Sequence, residues 1–322
     1  MSEQVVVVLG ASSGIGRATA LALAREGASV VCASRGAEAL GTLVREVEEA
    51  GGTAVAVPTD ITNPYALEAL VQAAEGRYGR VDTWVNVAGV SVYGSVRDVP
   101  LEDFRRVLEV NLLGHVAATK AALPALERAG GGVVIGIASA EGARAVPLHA
   151  PYTASKFALR AFYDALRVEL AQEGSPVRVT TLLPAGISTP FWERSRNLTG
   201  GHLTKPPPPV YAPELVAAAV VRAATHPRRE VPVGGAAYGF ILGQRISPAL
   251  TDALMSLVMR RAQTSDRPDT GTDVLDRPAP GPGQVRGDHP GHVARHSPAT
   301  ALAARLPRPG ELLTAARARL AR

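Results

Sequence analysis

The chain has 322 residues, of which 46% are hydrophobic, with a formal charge of +5 and a single cysteine. That length and apolar content support a sizeable core, while a lone cysteine excludes a disulfide framework and gives no metal-binding pattern. Residues 261–322 hold 10 Arg and 6 acids, so most of the positive charge belongs to the tail and nothing in the remainder suggests a nucleic-acid groove.

The segment Gln4-Val-Val-Val-Val-Leu9 is an unbroken apolar run, the pattern of a parallel strand covered on both faces. Met1–Gln4 leads straight into it and leaves no room for a signal peptide, so a cytoplasmic protein is expected. Gly10-Ala-Ser-Ser-Gly14-Ile-Gly16 follows, and a helix rich in Ala and Leu continues to Ala24. Glycine lets a backbone approach a pyrophosphate closely, and a helix N-terminus offers N–H donors and a positive dipole end. Gly10, Ser12, Ser13, Gly14, Ile15 and Gly16 are therefore candidate cofactor contacts. Their spacing is G-x-x-x-G-x-G rather than G-x-G-x-x-G, so the strand before and the helix after carry the assignment.

The second strand, Ser29–Ala33, contains Cys32, which reads as a small buried hydrophobe, and ends in Ser34-Arg35-Gly36. An NAD site usually places a carboxylate about 20 residues past the glycine turn. Here no acid occurs between Glu26 and Glu38. Arg17 and Arg35 can instead flank a 2′-phosphate, which favours NADP(H) over NAD(H); the plainer reading of either arginine is a solvated charge. A third apolar run, Thr53–Val57, leads to Asp60-Ile61. Asp60 suits the adenine amino group better than a helix cap, because Asn63-Pro64 already supplies the cap and the first-turn proline.

Val133–Ala138 reads as a buried strand that delivers Ser139 to the carboxyl edge, where open α/β sheets bind ligands. In Tyr152-Thr-Ala-Ser-Lys156 a phenol and an ammonium lie four apart, on one face of a helix. A nearby cation is expected to lower the phenol by about 2–3 units from its ordinary value near 10, making Tyr152 an effective proton donor and acceptor. Ser139 would hold the reacting oxygen against it. Taken singly, these residues have plainer readings as a turn cap, a half-buried strut and a solvated charge. Together with the glycine turn they point to hydride transfer between a nicotinamide cofactor and a carbonyl or secondary alcohol.

These residues together resemble the short-chain dehydrogenase/reductase family over roughly residues 4–235. The glycine turn matches at Gly10, Gly14 and Gly16, with Leu9 where the family usually has Thr. Asn86-Val-Ala-Gly89 is similar to the N-N-A-G element, with Val87 in place of the second Asn. The resemblance implies that Asn86, Ala88 and Gly89 line the cofactor site, and that Asn111 holds a water relaying protons through Lys156. It makes Ser139, Tyr152 and Lys156 the catalytic Ser, Tyr and Lys, with Lys156 also on the nicotinamide ribose. Pro184-Ala-Gly-Ile187-Ser-Thr189 resembles the P-G-x-V-x-T element, with Ala185 for a Gly. There Pro184, Gly186, Ile187 and Thr189 would contact the nicotinamide end.

Strands and helices alternate through the first 235 residues, which predicts one α/β domain, a doubly wound Rossmann-type parallel sheet of about seven strands with helices on both faces. Strands are expected to begin near Gln4, Ala28, Thr53, Val81, Gly132, Pro176 and Arg229, with the clearest helices at Leu101–Arg128 and Tyr152–Glu173. The resemblance implies a homo-dimer or tetramer built on those two helices. Residues 236–262 form an apolar helical extension, read as a pair of helices on the core or over the substrate cleft; a membrane-surface anchor is the less favoured reading. Residues 263–322 are a Pro/Gly/Arg-rich tail, expected to be disordered from Asp266 to Gly310, with a short basic helix over Glu311–Arg322.

The substrate is expected to be a small, apolar molecule, because Phe191 and Trp192 open the variable segment running to Pro209. Tyr93, Glu141, Arg144, Leu148 and His149 complete the candidate substrate contacts by their position beside the motifs. Two other readings stay open: a non-catalytic nucleotide-binding sensor or scaffold, and an isomerase or dehydratase using the same proton machinery.

Overall fold

A computed structural model describes residues 1–305, so the helix expected over residues 311–322 lies outside the described residues. All seven expected strands are present: β1 (Val5–Leu9), β2 (Ser29–Ser34), β3 (Thr53–Pro58), β4 (Thr83–Asn86), β5 (Val133–Ile137), β6 (Arg178–Pro184) and β7 (Glu230–Val233). They pair in parallel in the order β7-β6-β5-β4-β1-β2-β3. Between them run α1 (Gly14–Arg25), α2 (Ala37–Glu49), α3 (Pro64–Tyr78), α4 (Leu101–Leu108), α5 (Gly114–Arg128), α6 (Ala150–Gln172) and α7 (Pro213–Thr225).

The central strand β1 is apolar and buried at every position because both its faces are covered. Val5 and Val7 belong to a core shared with Leu67, Val107, Ala118 and Leu159 of α3 to α6. Val6 and Val8 point the other way, into a core shared with Leu23, Leu43 and Val220 of α1, α2 and α7. The period of two along β1 thus divides one strand between two layers. Asn63 caps α3 as expected, its side chain accepting from the N–H groups of Tyr65 and Ala66.

The helix expected over Leu101–Arg128 is interrupted. Between α4 and α5 the turn Glu109–Leu113 is a π-helix, and Asn111 sits in its middle, fully buried. Such bulges redirect a side chain without ending the helix. The sequence contains no proline or glycine at that point to announce it.

After β7 come α8 (Gly235–Ile246) and α9 (Pro248–Gln263). They turn Phe240, Met255 and Met259 inward onto Val146, and Leu242, Ile246, Leu250 and Leu257 outward. No helix among the described residues is long and apolar enough to cross a membrane. The following segment, expected to be disordered, lies against the domain as far as residue 305. Thr264–Pro268 pairs with His202–Thr204, Val293–Ala294 pairs with Val210–Tyr211, and α10 (Pro298–Arg305) closes the described chain. Leu275 anchors it in the core at 1% exposure, and arginine side chains of the domain bind its carbonyls. Composition measures apolar burial, and this segment is held largely by hydrogen bonds and ion pairs instead.

A buried polar network ties the layers together. Asn86 accepts from the Trp84 indole (2.9 Å) and donates to Thr119 and Tyr163 (3.1 Å each). His115, fully buried at the start of α5, pairs with the Ala88 carbonyl at 2.7 Å. Burial, helped by the Lys156 charge, lowers its pKa to about 3. An unfolded histidine protonates near 6.5. Below that pH the unfolded chain binds the additional proton, so this contribution to stability is lost as pH falls from about 6.5 towards about 3. Denaturant midpoints measured between pH 7 and pH 4.5 should fall less steeply in His115→Gln, which keeps an N–H donor for Ala88 but cannot titrate. Parallel slopes would show that His115 does not carry the acid sensitivity.

Candidate active site

The parallel sheet brings the carboxyl ends of its strands to one edge, and a continuous cavity runs along it. At one end it is bounded by Ser34, Arg35, Asp60 and Ile61, in the middle by Gly10, Ser12, Ser13, Gly14 and Ile15. Ala88 and Gly89 follow, and the far end is made by Ser139, Tyr152, Lys156, Pro184, Gly186, Ile187 and Thr189. Most of the expected cofactor contacts therefore share one surface.

Three do not. Gly16 faces the protein: a Cβ there would lie 2.0 Å from the Gly10 carbonyl oxygen, so its absent side chain lets α1 start directly above the end of β1. Arg17 is buried and points away along α2, donating to the Ala39 carbonyl (3.0 Å) and pairing with Glu46 (2.8 Å). Its charge is already partnered, which corrects the expectation that it flanks a 2′-phosphate. Asn86 is spent on the network of Trp84, Thr119 and Tyr163. Gly10 lines the cavity, and its φ of +103° together with the Ala88 backbone nitrogen only 2.5 Å from a Cβ position already requires a glycine there for packing within the protein.

Arg35 remains at the end of β2. Its guanidinium donates to the carbonyls of Val274 (2.7 Å) and Asp276 (3.1 Å), with Asp60 near enough to act on its charge. Asp60 also accepts from the Thr62 N–H (2.9 Å) and hydroxyl (2.8 Å); these bonds and the Arg35 charge hold its carboxyl below the ordinary value against the opposing effect of burial. The Ser34 hydroxyl is buried among the described residues without a partner. A hydroxyl with free hydrogen-bonding capacity beside a guanidinium, in a cleft over a helix N-terminus, fits the ribose and phosphate groups of a dinucleotide.

At the other end, Lys156 donates to the Ile137 carbonyl (2.9 Å), and its Nζ lies 5.5 Å from the centre of the Tyr152 ring. Asn111 accepts from the Val90 N–H (2.9 Å) and donates to the Val90 carbonyl (2.9 Å) and Ser155 hydroxyl (3.1 Å). Those bonds make Asn111 a clamp on the chain beside the cavity. The Ser139 hydroxyl accepts from the Glu141 N–H at 3.1 Å.

The electrostatics differ from the expected acidified phenol. Burial raises Tyr152 above its ordinary pKa, the Glu141 carboxylate adds to that, and only a hydrogen bond with Ser139 opposes them. Lys156 is itself lowered to about 7 by burial, with Glu141 opposing the change. At neutral pH Lys156 is therefore only partly charged, which weakens its pull on the phenol.

Of the expected substrate contacts, Glu141, Phe191 and Trp192 line the cavity. Phe191 meets the Tyr152 ring at 5.3 Å between centroids. Tyr93 and His149 instead form a stack behind Tyr152: centroids are 4.0 Å apart from Tyr93 to His149 and 4.4 Å from His149 to Tyr152. His149 is fully buried between Glu141 (2.9 Å) and the Ser91 hydroxyl, and Thr153 also donates to Glu141 (3.0 Å). Arg144 is turned to α8 and α9, where it holds Gln244 (2.7 Å) and Asp252. Leu148 serves through its backbone, accepting from the Gly94 N–H at 2.9 Å with φ at +64°. Position beside a motif thus identified neighbours of the site, several of which support it from behind. Val146, Phe240 and the pair Pro207-Pro208, which sequence reading missed, complete the apolar wall. Phe240 arrives from a helix more than 80 residues beyond Tyr152, and only its apolar run hinted at a role.

A family model described as short chain dehydrogenase matches residues 4–199. The chain is 37% identical over 273 residues to an uncharacterized oxidoreductase, YxnA, of Bacillus subtilis, covering 83% of this chain and 76% of that one. A metagenomic short-chain oxidoreductase solved in complex with NADP is 31% identical, with a TM-score of 0.61 over 72% of this chain and 97% of the other. A short-chain dehydrogenase/reductase from Burkholderia phymatum solved with NAD shares the fold at 24% identity, with a TM-score of 0.69 over 78% of this chain and 95% of the other. Fold, site and matches agree, and the chain belongs to the short-chain dehydrogenase/reductase family of oxidoreductases.

Proposed function

We propose that the protein is an NADP(H)-dependent oxidoreductase that interconverts a carbonyl and a secondary alcohol, with Tyr152 as its acid and base. The observation that carries this reading is the single cavity that joins Arg35, Ser34 and Asp60 to Ser139, Tyr152 and Lys156. A dinucleotide laid along it would place its adenosine end at Arg35 and its nicotinamide near Ile187 and Thr189. When bound, the nicotinamide supplies or accepts the hydride.

The chain's own residues bind, aim and move the proton. Ser139 and Tyr152 grip the substrate oxygen. Tyr152, raised by burial, is protonated at neutral pH and stands as a donor, which suits carbonyl reduction. Lys156, lowered to about 7, can exchange a proton at that pH. Phe191, Trp192, Val146 and Phe240 give the mouth an apolar lining, which supports an apolar or ring-bearing substrate. Self-association through α4–α5 and α6 is supported by their exposed Leu101, Leu113, Phe157 and Val168.

The 2′-phosphate preference rests on Arg35 alone, because Arg17 is paired with Glu46. Losing one charge-assisted contact of about 1.5–3 kcal/mol corresponds to roughly a 10- to 100-fold change. Titrations followed by NADPH and NADH fluorescence should therefore show Arg35→Ala weakening NADPH by that factor and leaving NADH nearly unchanged. Equal losses for both would remove the preference.

Turnover of a panel of ketones and aldehydes with NADPH should drop about 10²–10⁴-fold in Tyr152→Phe. Rates untouched by the substitution would refute the mechanism and favour a binding protein. Glu141→Gln removes a charge that raises Tyr152, so the apparent pKa for alcohol oxidation should move to lower pH. A pH–rate profile identical to the parent's would show that Glu141 does not act on the phenol.

A further inference from the structure

Residues 274–287 run along the cavity and take up donors that a dinucleotide needs. Val274, Pro278, Ala279, Pro280 and Gly283 form part of its wall, together with Gly10, Ser34 and Ala88. At the adenosine end, Arg35 donates to the carbonyls of Val274 (2.7 Å) and Asp276 (3.1 Å). At the glycine turn, the Gly14 N–H, the first of α1, donates to the Gln284 carbonyl at 2.9 Å. One is the guanidinium assigned to a 2′-phosphate, the other an N–H of the helix terminus assigned to the pyrophosphate. Both hold neutral peptide oxygens of the same chain.

The segment also fills the space above these donors. A Cβ on Gly283 would lie 2.3 Å from the Ser12 carbonyl oxygen, and one on Gly287 would lie 2.5 Å from that of Thr189. Backbone therefore lies directly on backbone at the glycine turn and again at the Pro184–Thr189 loop. The Gly287 N–H reaches the Ser188 carbonyl at 3.4 Å beside the second crossing. A dinucleotide laid along the cleft needs the same ground, and an N–H held by a carbonyl is not offered to a phosphate.

The segment is pinned near one end. Leu275 is buried at 1% exposure, and Arg196 clasps Asp273 (2.9 Å) and Asp276 (2.8 Å) while holding Asp103 (2.6 Å) of the domain. Over the cleft itself the contacts are hydrogen bonds to neutral carbonyls, which are weaker than the same donors make to a phosphate. The cofactor can thus displace the segment, and the pin sets how readily.

We propose that residues 274–287 are an internal competitor of the dinucleotide, an autoinhibitory segment that the cofactor must displace before it binds. The inference rests on the reading of this cleft as the cofactor site. It adds a control on cofactor binding from outside residues 4–199, the part matched by the family model. The affinity observed is then the intrinsic affinity reduced by the fraction of molecules in which the segment is away.

Loosening the pin and locking the segment must move NADPH binding in opposite directions. In the full chain, Leu275→Ala and Asp273→Ala, neither at a cofactor donor, should each tighten NADPH roughly three- to tenfold in fluorescence titrations. The lock is a disulfide. A Cβ at Gly36 would lie 3.7 Å from the Pro278 Cβ, within the range that a disulfide spans. The native Cys32 is buried with its thiol pushed up to about 12, so it does not interfere. Oxidised Gly36→Cys, Pro278→Cys protein should bind NADPH at least about tenfold more weakly than the same protein reduced. Saturating NADPH, added first, should slow the joining of the two cysteines, because exclusion is reciprocal. Equal affinities in the oxidised and reduced forms, or joining that ignores NADPH, overturn the competition alone. So do failure of the cysteines to join without nucleotide, and unchanged or weaker NADPH binding by both alanine variants. If neither alanine variant nor the reduced cysteine protein binds NADPH or NADH, the reading of the cleft fails and the competition falls with it.

Discussion

Seven strands running the same way must all deliver their carboxyl ends to one edge of the sheet, and everything chemical in this protein depends on that. The pairing of Leu9 with Ala33 and Asn86, and of Ile137 with Leu182, aligns loops far apart in sequence. The glycine turn, Ser34-Arg35, Asp60, Ala88-Gly89, Ser139 and Pro184–Thr189 all follow such strand ends. No strand presents its own site. The cleft exists because the edge is shared, and Gly16 lets α1 start close against the Gly10 carbonyl so that its N-terminus joins that edge.

Burial sets the chemistry of the far end of the cleft. A charge removed from water is costly unless hydrogen bonds replace the lost hydration. Glu141 receives His149 and Thr153, and Lys156 is left with the Ile137 carbonyl. Desolvation consequently dominates both Tyr152 and Lys156, raising the phenol and lowering the ammonium towards neutrality. The stack of Tyr93, His149 and Tyr152 fixes the phenol's orientation from behind, with its outer face left to Phe191 and the substrate. The site thus holds a phenol rigid in a dry wall, raised by burial and further by the carboxylate of Glu141.

Two later parts of the chain finish the enclosure by different physics. The pair α8–α9 is held by apolar contacts of Met255 and Met259 with Val146 and by the Arg144 links to Gln244 and Asp252, and it brings Phe240 to the cavity. The segment that follows is held by carbonyls on arginines, by Arg196 between carboxylates and by one buried leucine. Its low apolar content, which reads as disorder in isolation, is compatible with order because the domain provides the donors.

The sequence alone determined the seven strands, the two-sided helical cover and the placing of Ser139 at a strand end with Tyr152 and Lys156 one helical turn apart. Each of these is written in local features: unbroken apolar runs, a glycine turn between strand and helix, and a four-residue helical spacing. Much of the cofactor edge was legible for the same reason, since each motif directly follows a strand. Which side chains face the cleft was decided only by packing. Arg17 turns to Glu46, Asn86 to Tyr163 and Arg144 to Asp252 because nearer partners satisfy them, and those partners are 29, 77 and 108 residues away. The sign of the shift on Tyr152 and the placing of residues 264–305 against the domain are likewise tertiary, because desolvation and long-range hydrogen bonds depend on what surrounds a group rather than on what adjoins it in the chain.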